Sequence, residues 1–285
     1  MCVVTGATAG IGLATARELV RRGGRVLLVG RDDRRGAEAL ADVRAAAPAG
    51  GGTAEFLRAD LSRQAEVRAA AAEIRARHPR VHVLVNNAGA VFDTRQESAD
   101  GIELTLALNH LAYWLLTVEL LEPLRAAGAE SGDARVVVVA SDAHTGARAG
   151  LARDDLELRR SWSSLGAYAQ SKLANVMFAY ALARRLAGTG VTANALHPGV
   201  IGSNFARGQG GPMGWFFRVA RPFLRSPERG AETSVHLAAD ASLAGATGGY
   251  YKDRRPARSS PPSYDEAAQE WLWAESARLT GTSAV

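Results

Sequence analysis

The feature that most constrains this chain is a set of three glycines placed between a short apolar segment and an amphipathic one. Cys2-Val3-Val4-Thr5 reads as a buried strand, Thr5-Gly6-Ala7-Thr8-Ala9-Gly10-Ile11-Gly12 as the turn that leaves it, and the pattern through Arg22 as a helix. Gly6 permits a tight turn, Gly10 lets backbone approach a ligand, and Gly12 allows a helix to pack closely on a strand. A helix starting there aims free amide N–H groups and its positive dipole end into the crevice beyond the strand, which suits a pyrophosphate. The strand–helix rhythm then repeats. Apolar runs at 25–29, 53–58, 81–85, 135–139, 191–196 and 248–251 alternate with helical patterns at 34–47, 64–77, 99–125, 166–187 and 228–239. Runs buried on both faces and joined by crossovers of fixed hand give an α/β fold with one doubly wound parallel sheet. About seven strands are expected, in the order 3-2-1-4-5-6-7 with helices on both faces. Residues 1–285 are expected to form a single domain.

Two segments break the rhythm. Residues 142–165 separate a strand from its next helix, and residues 201–227 are rich in glycine and aromatics. Both follow carboxyl ends of strands, where open α/β sheets bind ligands, so both are read as substrate loops.

Composition narrows the function classes. With 47% hydrophobic and 22% charged residues the chain is neither disordered nor low-complexity. Its net charge of +5 is spread over scattered arginines rather than gathered in a stripe, so no nucleic-acid partner is expected. Cys2 is the lone cysteine, which allows no internal disulfide and no C-x-x-C metal site. No signal-peptide pattern opens the chain. The apolar stretch Leu104 to Leu124 is interrupted by Asn109, His110, Glu119 and Glu122 and fails as a membrane span. A soluble, cytoplasmic protein is expected.

At the end of the second strand, Val29-Gly30 leads into Arg31. An acid there would bind a free ribose 2′-hydroxyl, whereas an arginine suits a 2′-phosphate, so NADP(H) is expected over NAD(H), although Asp32 follows immediately. Asp60, after the third strand, is placed either to accept from an adenine amino group or to cap the next helix.

The chemistry-bearing residues gather at other strand ends. Tyr168 and Lys172 stand at i and i+4 in Tyr168-Ala-Gln-Ser-Lys172, on one helix face. A phenol with a pKa of about 10 is a poor base near neutrality. An ammonium one turn away stabilises the phenolate, and such a tyrosine can exchange a proton with a carbonyl oxygen as hydride is transferred. Lys172 is one of only two lysines, the other being Lys252. Ser141 ends an apolar run where its hydroxyl can reach a substrate oxygen, and Asn86-Asn87-Ala88-Gly89 ends the strand beside it. Asn109 interrupts an apolar helix and must find a polar partner, either a backbone carbonyl or a water behind Lys172.

Taken in order, the Thr5–Gly12 turn, Asn86-Asn-Ala-Gly89, Asn109, Ser141, Tyr168-x-x-x-Lys172 and His197-Pro198-Gly199 resemble the short-chain dehydrogenase/reductases over essentially the whole chain. Val29-Gly-Arg-Asp32, Ser141-Asp-Ala-His144, Ser171-Lys-Leu-Ala-Asn175 and the long 142–165 insertion are most similar to the retinol-dehydrogenase-like branch. The resemblance implies a Rossmann-type fold and an oxidoreductase that interconverts carbonyl and alcohol. It makes Tyr168 the general acid/base and Ser141 the residue that positions the carbonyl. Lys172 holds the nicotinamide ribose and tunes Tyr168, and Asn109 supports a proton relay. Thr8, Ala9, Ile11 and Leu61 join the glycines, Arg31 and Asp60 around the cofactor. Asn87, Ala88 and Gly89 flank it, Pro198, Gly199 and Val200 hold its nicotinamide end, and Ser203 stands near a cofactor contact.

The substrate is expected to be a hydrophobic small molecule, such as a secondary metabolite, covered by Trp215, Phe216, Phe217, Val219, Phe223 and Leu224. Arg218, Arg221 and Arg225 punctuate that segment, so a membrane-surface patch is its second reading. Self-association into a homodimer or homotetramer is implied through the helices at 99–125 and 166–187. Two alternatives stay open: dehydration, epimerisation or cyclisation in the same site, and a non-catalytic nucleotide sensor on the same fold.

Overall fold

The computed structural model describes residues 1–199 and 226–283. Val200, Ser203 and the aromatic segment from Trp215 to Leu224 lie outside the described residues.

One sheet organises the chain. Strands β1 (Cys2–Thr5), β2 (Arg25–Gly30), β3 (Thr53–Arg58), β4 (Val83–Asn86), β5 (Ala134–Val139), β6 (Val191–His197), β7 (Tyr250–Lys252) and β8 (Arg255–Ala257) lie in the order β3-β2-β1-β4-β5-β6-β7-β8. The first seven are parallel and follow the expected order. Continuous burial of Val26–Gly30 and of all of β5 matches strands covered on both faces.

The eighth strand is an addition to the expected seven. It runs antiparallel to β7 through Asp253 and Arg254, both with positive φ (50° and 62°), the twist a tight hairpin requires. An Asp-Arg turn lacks the usual glycine signal, and Pro256 is tolerated because the strand is at the sheet edge.

Helices cover both faces. On one, α1 (Gly10–Arg21), α2 (Asp33–Ala45) and the helix Pro227–Ala239 bury Leu19, Val20, Val43 and Leu237 against Val4, Leu28 and Val137. On the other, α3 (Gln64–Arg77), α5 (Ala112–Glu119), α6 (Leu121–Ser131) and α7 (Ser164–Arg185) form the larger core with Leu27, Leu84 and Val136.

The helix expected over 99–125 is in pieces. A short α4 (Leu104–Leu106) runs through a π turn (Ala107–Leu111) into α5, and the chain bends by 59° at Leu120 before α6. The π turn has an identifiable cause: the Asn175 side chain donates to the Asn109 carbonyl at 2.8 Å, intruding on the helical ladder. Pro123, lacking an N–H, suits the first turn of the restarted helix. Among the described residues no single helix is long and apolar enough to cross a membrane.

A last helix, Glu266–Thr280, was not evident from the apolar pattern, though Asp265 caps its start and Gly281 ends it. Trp273 stacks on Phe178 at 5.9 Å and meets Trp114 edge-on at 5.8 Å, while the Arg185 guanidinium lies 4.0 Å above its ring. It thereby covers α5 and α7, most of whose side chains are buried within this chain.

Candidate active site

The Gly-rich turn, the end of β4, Ser141 and the end of β6 all lie at the carboxyl edge of the sheet, with the reversal of strand order between β1 and β4. Gly6 has φ +63°, and a Cβ there would lie 2.8 Å from the Ala88 Cα. A Cβ on Gly12 would lie 2.4 Å from the Gly6 carbonyl oxygen and 2.5 Å from Asn87 Nδ2, so only glycine lets α1 pack into the turn. Asn87 Nδ2 donates to the Thr5 carbonyl at 2.8 Å, and Thr5 Oγ1 accepts from the amides of Asn87 and Ala88 at 2.8 and 3.1 Å. The end of β4 is thus sewn onto the turn it helps form. No side chain caps α1 and no acid stands in its first turn, leaving its N-terminal amides available to an anion. Thr8, Ala9, Gly10 and Ile11 are partly exposed there, as are Pro198 and Gly199 across the edge.

Arg31 is exposed, and the carboxylate beside it is engaged. Asp32 Oδ1 accepts from the Arg35 amide at 2.8 Å as the cap of α2, a bond that holds its carboxyl below the usual range. Asp60 does not cap α3: that position belongs to Arg63, whereas Asp60 Oδ1 accepts from the Ser62 amide and hydroxyl at 3.0 and 2.7 Å.

At the chemical end, Ser163 caps α7 by accepting from the Gly166 amide at 3.1 Å, which sets where the helix begins and so how Tyr168 meets Ser141. The Tyr168 hydroxyl hydrogen-bonds with the Ser141 side chain. Lys172, one turn later, is 4% exposed, donates to the Val139 carbonyl at 3.0 Å, and has Nζ 5.6 Å from the Tyr168 ring centroid.

The electrostatics correct one expectation. Burial pushes the Lys172 amine down to about 7, and no neighbouring charge opposes it. Burial likewise pushes the Tyr168 phenol up to about 12, opposed by the hydrogen bond from Ser141 and not by Lys172. Within the protein, desolvation outweighs any acidifying pull of the amine on the phenol.

Asn109 finds a backbone partner. Its amide clasps one residue, accepting from the Ala90 N–H and donating to the Ala90 carbonyl, both at 2.9 Å, with a further contact to Ser171 Oγ at 3.2 Å. Gly89 is thereby held over the lysine: a Cβ on it would lie 3.7 Å from Lys172 Nζ.

Behind Ser141 stands a polar clasp that the sequence reading did not assemble. Asp142 accepts from Tyr250 OH at 3.0 Å and Lys252 Nζ at 2.5 Å, and its amide donates to His197 Nδ1 at 3.0 Å. His144 is 1% exposed; its Nδ1 lies 2.6 Å from the Ser141 carbonyl while Nε2 accepts from the Ser260 amide at 2.9 Å. These partners fix a neutral ring protonated on Nδ1, in line with the burial that lowers its pKa. The only signal was the Ser141-Asp-Ala-His144 run, whose partners come from distant β6, β7 and residue 260.

The 147–163 wall is also fastened rather than loose. Gln170 accepts from the Ala152 amide at 2.9 Å and donates to the Leu156 carbonyl at 2.7 Å, and the Trp162 indole donates to Glu103 at 3.1 Å.

Comparison with known proteins agrees with this arrangement. The short chain dehydrogenase family model matches residues 1–153. Mouse polyprenol dehydrogenase is 43% identical over 288 residues, covering 99% of this chain and 84% of that protein. Mouse retinol dehydrogenase 12 is 38% identical over 281 residues, covering 98% and 85%. Among solved structures, an uncharacterised protein from Mycobacterium paratuberculosis is similar with TM-score 0.76 and 31% identity, covering 100% of this chain and 94% of that one. An actinorhodin polyketide ketoreductase with NADPH is similar with TM-score 0.66 and 27% identity, covering 87% and 93%.

Proposed function

The chain belongs to the short-chain dehydrogenases, in the retinol-dehydrogenase-like branch, oxidoreductases that interconvert alcohols and carbonyls with NAD(P)(H), and on that premise we propose that it acts with NADP(H) on a hydrophobic alcohol and its aldehyde or ketone. The observation that carries the reading is the hydrogen-bonded pair Ser141–Tyr168 beside a buried lysine at the carboxyl edge of the sheet. When bound, the nicotinamide supplies or receives the hydride.

The protein's own residues account for the rest. Ser141 and Tyr168 hold the substrate oxygen between two hydroxyls, and Tyr168 gives it a proton in reduction or takes one in oxidation. The open amides at the start of α1 suit the pyrophosphate. Lys172, with one carbonyl acceptor for three ammonium protons, retains capacity to bond the nicotinamide ribose. Asn109 acts through the Ala90 backbone, setting the rim of the crevice.

Preference for NADP(H) is supported by the exposed Arg31 together with an Asp32 committed to its helix cap. A hydrophobic substrate is supported by two things. Leu165 lies one turn before Tyr168 on α7 with 58% of its surface exposed, and the names of the two relatives above denote isoprenoid alcohols. The test is a panel of short and long-chain aldehydes, ketones and alcohols followed at the nicotinamide absorbance with NADPH and NADH. Turnover that favours long apolar substrates and NADPH is expected. Turnover with NADH and small polar carbonyls alone would overturn both preferences.

A further inference from the structure

Lys172 has a second aromatic neighbour that the reaction above does not use. Tyr113, on α5 one turn after Asn109, is 1% exposed, and its ring centroid lies 5.7 Å from Lys172 Nζ, nearly the distance of the Tyr168 ring. Its hydroxyl is buried without a hydrogen-bond partner, an arrangement that disfavours the site unless the ring itself is wanted. The groups around Lys172 come from every packed element: Tyr168 on α7, Tyr113 on α5, the Val139 carbonyl on β5, and Gly89, which Asn109 holds in place. None carries a charge. The carboxylate of Asp142 is committed to Lys252, Tyr250 and His197, and His110 faces Asn175 and Ser276.

We propose that Tyr113 is a positioning residue for Lys172, its ring face holding the ammonium where a counter-ion would otherwise stand. An ammonium within about 6 Å of an aromatic centroid is attracted by the ring quadrupole, most strongly when both are shielded from water. The hold offsets part of what burial costs the ammonium and fixes it beside Tyr168. This deepens the proposed reaction and rests on it in one respect, that Lys172 acts as an ammonium.

The two-lysine composition makes the test direct. Protein labelled with 13C-lysine gives two side-chain resonances, and Lys252→Arg identifies which is Lys172. In full-length protein without added nucleotide, Tyr113→Leu is expected to lower the Lys172 titration midpoint by about one pH unit. Tyr113→Phe, which keeps the ring face and removes only the unpaired hydroxyl, is expected to leave the midpoint in place. Tyr113→Met serves if the leucine variant does not fold. An unmoved midpoint in the folded leucine or methionine variant overturns the proposal. The readout needs no turnover: a shifted midpoint in a protein inactive on every carbonyl keeps the ring's role and removes the reaction, and the converse removes the ring alone.

Discussion

Two regions flank Ser141, and each contains one of the two lysines. Below it, Lys172 sits in a dry cage of two aromatic rings and one backbone carbonyl. Behind it, Lys252 is exposed and ion-paired to Asp142, which also accepts from Tyr250. The same side chain therefore serves opposite ends. Without a counter-charge, burial drives the Lys172 amine to about 7, ready to change its charge near neutrality. With a counter-charge, the Asp142 carboxyl stays below its usual range: burial, the largest single influence, raises it, but the hydrogen bonds from Lys252 and Tyr250 and the pull of His197 and Lys252 together outweigh burial. The cage is poised for proton chemistry and the clasp for holding a backbone still.

The largest expected effect comes from the cage. Tyr168→Phe should lower kcat by about a thousandfold, the usual worth of a positioned acid/base, while NADPH binding measured by fluorescence stays within a few-fold. A variant with near-normal turnover would remove Tyr168 from the chemistry. Lys172→Met should lower kcat by about a hundredfold and weaken nucleotide binding as well, separating a residue that binds and tunes from one that only transfers a proton. Arg31→Ala, outside both regions, gives a reference: NADPH affinity should fall about tenfold and NADH affinity should stay unchanged. The clasp should respond least. Asp142→Asn is expected to reduce kcat/KM by only about threefold and stability by about 1 kcal/mol or less, because the pair is partly exposed and screened. If it cost as much as Lys172→Met, the distinction between cage and clasp would fail.

The regions also differ in pH response. Asp142 has a lowered folded pKa, so its contribution is complete above the unfolded value of about 3.9 and is lost as pH falls through the folded one. Thermal unfolding of wild type and Asp142→Asn should therefore converge in acid.

Much of this was legible in the chain because it depends on local spacing. Gly6 and Gly12 announce a turn packed on a helix, and Tyr168 and Lys172 announce one helix face. What spacing cannot convey is the environment a side chain meets across the sheet. A lysine near a tyrosine suggests an acidified phenol, yet among the described residues no charge acts on Lys172, so desolvation is the largest influence on both groups. Asn109 needed a partner, but nothing local identified Ala90. Asp142 reads as an ordinary loop acid until β6 and β7 bring His197, Tyr250 and Lys252 to it. Nothing local in the Glu266–Thr280 helix identifies what it covers, although its Trp273 packs against Trp114 of α5 and Phe178 of α7.

The cage is tested most directly by the pH dependence of stability in wild type and Lys172→Met without nucleotide. The folded pKa of Lys172 lies near 7, below the ordinary 10.5 of the unfolded chain. Between those values the unfolded state binds a proton that the folded state does not, so stability rises with pH across that window. The cost of the buried charge is thus complete below pH 7 and relieved toward pH 10.5. Lys172→Met should raise the melting temperature near pH 6.5, by the equivalent of a few kcal/mol, and lose that advantage near pH 10. A variant less stable than wild type by the same amount at both pH values would contradict the account, because it would mean that the lysine is held by a counter-charge rather than by aromatic rings.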